Sequence, residues 1–246
     1  MKIRYYSLCR RYDIPVKLFE PEGDVSGTVT AVHGFGGDME SAAVSALAER
    51  MTARGYAVVT FCLPGHGISR ADEQFSAENC RLDLMYMFRY TCELYPAAER
   101  RAVFATSFGG YLTLLSLGEI PEETRLVLRA PAVDMRSTFE NLLPISISEL
   151  KQSGTVAGPD GRRTVSYGFY EELCENDISC RCFDREMLIL HGDRDDVVLP
   201  EHIHKFCRAN PKARLAVIPG ADHKFRGEGE IPRAVGLAEG YILGEA

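Results

Sequence analysis

The chain has 246 residues, of which 46% are apolar and 26% charged, a composition that excludes a disordered or fibrous protein and suits one globular core. Its 28 lysines and arginines against 35 acids give a formal charge of -7, and no basic run offsets it, which disfavours binding to nucleic acid or to an anionic membrane. The opening stretch to Arg11 is polar and carries arginines in place of the apolar run of a secretory signal, and no segment has the length of a membrane span, so a cytoplasmic protein without stable membrane insertion is expected.

Taken in chain order, segments 5–8 and 16–19 are apolar, precede any helix and are separated by a short polar stretch, which predicts an antiparallel pair at a sheet edge. Apolar, β-branched runs then recur at 28–32, 57–61, 102–105, 126–128, 187–190 and 215–218. Between most of them lie segments of helical character at 40–54, 78–94, 108–117, 201–209 and 230–243, and in the second of these Met85, Phe88 and Cys92 share one face. This alternation predicts an α/β fold, with a mainly parallel central sheet flanked by helices, in a single domain over 1–246.

The interval of about 133–184 follows the sixth strand and is too long for a simple crossover, so it reads as an insertion. Within it, Gly158-Pro159-Asp160-Gly161 is a turn signal between Thr155-Val156 and Thr164-Val165, predicting a small hairpin, and 169–176 reads as a short helix. An insertion after a central strand lies at the carboxyl edge of the sheet, where open α/β sheets hold their ligands, so this segment is expected to cap a pocket.

The chemistry concentrates at strand ends. Ala105-Thr106-Ser107-Phe108-Gly109-Gly110 joins a buried run to a helical segment. A sharp turn there would project the Ser107 hydroxyl while the helix N-terminus offers N–H donors to an oxyanion. Upstream, His33-Gly34-Phe35-Gly36-Gly37 follows another strand, and its glycines allow the N–H of Phe35 to point at the same oxygen as that of Phe108, as in an oxyanion hole. Downstream, His191-Gly192-Asp193-Arg194-Asp195-Asp196 and Gly220-Ala221-Asp222-His223 each follow a strand. His223 can take the serine proton if an acid orients its ring, and the chain order of serine, acid, histidine suits that arrangement. Asp193, Asp195 and Asp196 compete for the acid role, with Asp134 as a further candidate.

Other polar residues read as structural. His66 precedes Ser107 and sits in a glycine turn, His33 and His191 are strand-end residues, and His202 and His204 face different directions on a helix. Eight cysteines include Cys62, Cys80 and Cys92 in apolar or helical segments, where reduced thiols act as small hydrophobes, and the Cys174, Cys180, Cys182 cluster lacks the further ligands of a zinc site.

With these pieces in register, the sequence resembles the α/β-hydrolase superfamily, and within it the bacterial feruloyl and cinnamoyl esterases and monoacylglycerol lipase-like enzymes. The resemblance spans nearly the whole chain and rests on His33-Gly34-Phe35-Gly36-Gly37, Pro64-Gly65-His66-Gly67-Ile68-Ser69, Ser107-Phe108-Gly109-Gly110, the His191-Gly192 pair with Asp195, and Gly220-Ala221-Asp222-His223. It departs at Ala105, where the family's motif has glycine, and at Cys62-Leu63-Pro64, where many relatives carry a more polar turn. The resemblance implies Asp195 as the acid, His223 as the general base and an inserted hairpin and helix that form an aromatic-acyl pocket, with Phe139, Tyr167, Phe169 and Tyr170 lining it or packing it onto the body. It further implies a serine hydrolase of small or aromatic carboxylic esters, with no metal or organic cofactor, working on a small-molecule ester as a monomer or homodimer. An amidase, peptidase or thioesterase of the same fold, or a noncatalytic receptor that holds a small molecule under the cap, is the alternative.

Overall fold

Lys2–Cys9 (β1) and Asp13–Glu20 (β2) pair antiparallel, from Lys2 opposite Glu20 to Cys9 opposite Asp13, and form one edge of the sheet. Gly27–Val32 (β3), Ala42–Ala53 (α1), Tyr56–Phe61 (β4), Ala77–Leu94 (α2), Arg100–Thr106 (β5), Phe108–Leu115 (α3) and Arg125–Arg129 (β6) follow in strict alternation. After them come Met135–Leu142 (α4), Ile147–Ser153 (α5), Thr155–Ala157 (β7), Thr164–Ser166 (β8) and Tyr167–Glu175 (α6), then Met187–Gly192 (β9), Pro200–Ala209 (α7), Ala213–Ile218 (β10) and Glu230–Leu243 (α8). This computed structural model describes residues 1–158, 161 and 163–245.

The main sheet has the order β1-β2-β4-β3-β5-β6-β9-β10, parallel from β4 to β10, and β2 runs against both of its neighbours. Buried strands without an apolar–polar alternation require cover on both faces, and two core layers supply it. Val103, Ala105, Leu126 and Leu128 pack toward α2 and α3 with Leu84, Met85, Phe88 and Leu112, whereas Ala102, Phe104 and Val127 pack toward α1 and α8 with Leu47, Met51, Val235 and Ile242.

Every strand and helix expected from the sequence is present with its ends within about three residues of expectation. Segment 133–184 holds more than was expected of it. The β7–β8 hairpin and α6 form as anticipated, although Pro159 and Asp160 of the turn lie outside the described residues. The added elements are α4 and α5. Asp134 caps α4 by accepting a hydrogen bond from the Ser137 N–H at 3.1 Å, and Ser146 and Glu149 cap α5 reciprocally.

Candidate active site

Five adjacent parallel strands, β3, β5, β6, β9 and β10, end side by side at the site. The turn between β5 and α3 puts Ser107 at φ 51°, ψ -114°, a left-handed conformation unusual for a residue with a side chain. Close approach holds this turn in place. A Cβ on Gly109 would lie 2.7 Å from the His33 carbonyl oxygen and 2.9 Å from that of Val32, and one on Gly34 would lie 2.9 Å from the Ser107 Cβ. The two glycines therefore let α3 and the loop after β3 meet around the serine. Ala105, which stands where the related motif has glycine, is fully buried in β5, and its single methyl is accommodated there.

From the β10–α8 loop, His223 presents Nε2 to Ser107 Oγ at 3.0 Å and Nδ1 to Asp195 Oδ2 at 2.8 Å. The other oxygen of Asp195 accepts the N–H groups of Val197 and Val198 at 2.9 and 2.8 Å, so this buried carboxylate is fixed by the loop that follows β9. The competing acids are placed elsewhere. Asp193 accepts the Gly220 N–H at 2.6 Å, Asp196 is exposed, and Asp134 caps α4. The N–H groups of Phe35 and Phe108 take no intramolecular partner among the described residues, which leaves both donors unspent beside Ser107.

His33, His66 and His191 are buried and neutral. His33 accepts the Leu63 N–H on Nε2 at 3.1 Å and so donates from Nδ1 to the Gly34 carbonyl at 2.8 Å. Burial lowers His33 and His191 to about 4 and His66 to about 2. His191 Nε2 lies 3.1 Å from the Val198 carbonyl oxygen and His66 Nδ1 lies 2.8 Å from that of Pro64. These contacts tie strand ends to neighbouring turns.

A cavity of about 510 Å³ opens at Ser107 and His223. Its lining includes Phe35, Phe108, Val197 and, from α4, Met135, Thr138, Phe139 and Leu142. The aromatic-acyl pocket expected from a hairpin and helix is corrected here. No described residue of β7, β8 or α6 lines this cavity. Phe169 instead packs against Phe35, Phe75, Phe108 and Phe139, with ring centroids 4.8–6.3 Å apart, and so props the wall from behind. The α4 wall was legible in principle, because Met135, Thr138, Phe139 and Leu142 follow the i, i+3, i+4, i+7 spacing of one helix face after a capping Asp134. Sequence reasoning also passed over Arg129, which lines the cavity from the end of β6. Among the described residues, no three His, Cys, Asp or Glu side chains converge as a metal site, and no helix is long and apolar enough to cross a membrane.

The sheet order, the strained turn after β5 and the hydrogen-bonded serine, histidine and aspartate define the class: an α/β-hydrolase, and within it a serine hydrolase. Residues 23–166, more than half of the chain, match the family described as serine aminopeptidase, S33, and the chain belongs to that family. Among solved structures, it is similar to Est1E from Butyrivibrio proteoclasticus with ferulic acid bound, at 18% identity and a TM-score of 0.82, covering 98% of this chain and 99% of that one. It is also similar to mouse alpha/beta hydrolase domain-containing protein 10, at 20% identity and a TM-score of 0.78, covering 99% of this chain and 100% of that one. The esterase domain of a Rhodothermus marinus protein is 20% identical with a TM-score of 0.74, covering 98% and 100% of the two chains. No curated protein sequence matches the chain.

Proposed function

We propose that the protein hydrolyses carboxylic esters through an acyl-Ser107 intermediate. The observation that carries this reading is the unbroken hydrogen-bonded chain from Asp195 through His223 to Ser107 at the cavity. Ser107 Oγ passes its proton to His223 Nε2 as it bonds to the ester carbonyl carbon, and Asp195 orients the ring and stabilises the imidazolium. The carbonyl oxygen gains negative charge opposite the Phe35 and Phe108 N–H groups, each worth on the order of 10²–10³ in rate in such sites. Collapse breaks the bond to the alcohol, which leaves with the proton from His223. Water then gives a proton to His223 Nε2 as its oxygen bonds to the acyl carbon, and a second collapse returns the proton to Ser107 and frees the acid.

Segment 133–184 serves as the cap in this reading, with α4 as its substrate-facing wall, and a small or aromatic acyl group suits a cavity lined by Phe139, Phe35 and Met135. Similarity to Est1E in fold, and the ferulic acid bound to that protein, agree with an aromatic acyl group. The family description favours a second reading, cleavage of an amide next to a free amino group. A free amine would need an acid in the cavity. Asp38 lines it, but so do the cations Arg129 and Lys224, which oppose a positively charged ligand.

Ser107→Ala is the decisive variant. Turnover of p-nitrophenyl acetate should fall by on the order of 10⁶, and labelling by a fluorophosphonate should disappear. Turnover that survives the substitution would exclude this mechanism, and wild-type protein that resists the label would be a receptor in place of an enzyme.

A further inference from the structure

Arg129 and Arg185 are equally buried, each 8% exposed, yet they are bonded very differently. Arg185 spends its guanidinium on the carbonyls of Ile120, Pro121 and Thr124, which clamps the loop before β6. Among the described residues Arg129 has only two long hydrogen bonds, Nε to Thr106 Oγ1 at 3.5 Å and Nη1 to the His223 carbonyl at 3.4 Å, with its guanidinium carbon 4.8 Å above the Phe225 ring. Among the described residues no carboxylate lies within ion-pair distance of it. The acids whose charge it feels are Asp195 and Asp222, and these are already bonded to His223 and Arg226. Among the described residues its Nη2 makes no hydrogen bond, and Arg129 lines the cavity that holds Ser107.

Direction follows from the pleat. Leu126 and Leu128 pack toward α2 and α3 and Val127 toward α1 and α8, so Arg129 continues on the side of Val127. Thr106, Phe225 and the cavity-lining Lys224 accompany it there. The cavity therefore has an apolar wall from α4 and a cationic wall at the end of β6.

Burying a cation without a paired anion is costly. Burial draws the guanidinium down to about 10, against the raising influence of Asp195 and Asp222, so it stays charged at neutral pH. An arginine that served only to brace the loop would be expected to use its donors on carbonyls, as Arg185 does.

We propose that Arg129 is the receptor for a carboxylate on the substrate, and that the natural esters are anionic, with an apolar part against α4 and a carboxylate against the guanidinium. This deepens the serine-esterase reading and rests on it. A carboxylate completes the site because it offers two acceptors to a planar fork that already stacks on an aromatic ring.

The test compares kcat/KM within two matched pairs of esters. One pair is p-nitrophenyl hexanoate and the p-nitrophenyl half-ester of adipic acid, which carries the carboxylate on the acyl side. The other is p-tolyl acetate and p-acetoxybenzoate, which carries it on the alcohol side. The ratio of anionic to neutral ester should fall about 10–100-fold from wild type to Arg129→Gln in at least one pair, mostly through KM. Arg129→Lys should restore part of it. A loss of rate that leaves both ratios unchanged would make Arg129 a brace for the His223 loop and overturn the proposal. If Arg129→Gln does not fold, the wild-type enzyme decides: in at least one pair kcat/KM should be at least about tenfold higher for the anionic ester than for its neutral partner, and equal values in both pairs refute anion recognition. Failure of the esterase reading is seen separately, as Ser107-independent turnover of the neutral esters.

Discussion

Replacing Asp195 by asparagine changes one atom and should reverse a proton. In the native site Oδ2 faces His223 Nδ1 at 2.8 Å while Oδ1 accepts two backbone N–H groups at 2.9 and 2.8 Å. An asparagine has a single oxygen to place. Set toward Val197 and Val198, it keeps both backbone bonds but turns its NH₂ toward His223, which must then accept on Nδ1 and carry its proton on Nε2. That tautomer cannot take the Ser107 proton. Set toward His223, the oxygen preserves the working tautomer but leaves two buried donors facing an NH₂.

Each unmade bond costs about 1–3 kcal/mol, so the inactive orientation should be favoured by roughly 2–6 kcal/mol. At about 1.4 kcal/mol per decade, kcat/KM for p-nitrophenyl acetate should fall by about 30-fold to on the order of 10⁴ with the fold intact by circular dichroism. Asp193→Asn supplies the control, because its one partner among the described residues is the Gly220 N–H, which an amide oxygen also satisfies. A loss below about threefold is expected there. Equal losses in the two variants, or an Asp195→Asn enzyme within about fivefold of wild type, would refute this account of the acid.

Gly109→Ala should destabilise the protein by about 1–3 kcal/mol or more in guanidinium unfolding and abolish fluorophosphonate labelling, because its Cβ meets two backbone carbonyls that cannot retreat independently. Leu142→Ala removes the most exposed part of the α4 wall, so in a panel of acyl esters it should raise KM several-fold for long or aromatic groups and change stability by less than about 1 kcal/mol. Acid should weaken the fold through its buried histidines. The unfolded chain takes up protons near pH 6.5 while His33 and His191 resist them until about 4. Stability present above pH 6.5 is therefore lost as pH falls toward 4, at up to about 1.4 kcal/mol per pH unit for each group. Unfolding midpoints measured at pH 7.5 and 5 should show the loss, and a His33→Gln variant should show a shallower decline.

The body of the fold was legible because each buried strand is a short apolar run and each helix carries its own face, so periodicity alone separates them. The Ser107, Asp195 and His223 positions were legible for a related reason: strand ends, glycine turns and chain order are local signals, and the site is assembled from strand ends that adjoin in the sheet. The local sequence leaves Asp193, Asp195 and Asp196 alike, three loop aspartates within four residues; the resemblance picks Asp195, and it is Asp195 that the structure bonds to His223. The insertion was harder to read, because its helices are short and, of the aromatic residues that stand out there, Phe139, Tyr167, Phe169 and Tyr170, Phe139 alone belongs to the α4 stripe that lines the cavity. Arg129 was hidden for the opposite reason. A charged residue ending an apolar strand ordinarily marks the point where a chain reaches water, and only the sheet register, which sets it beside Thr106 and one residue from Ser107, turns that ending into a wall of the cavity. In the proposed esterase the reaction is thus written in the strand-end loops, and the choice of substrate in two places without a motif, a helix face and a strand-end charge.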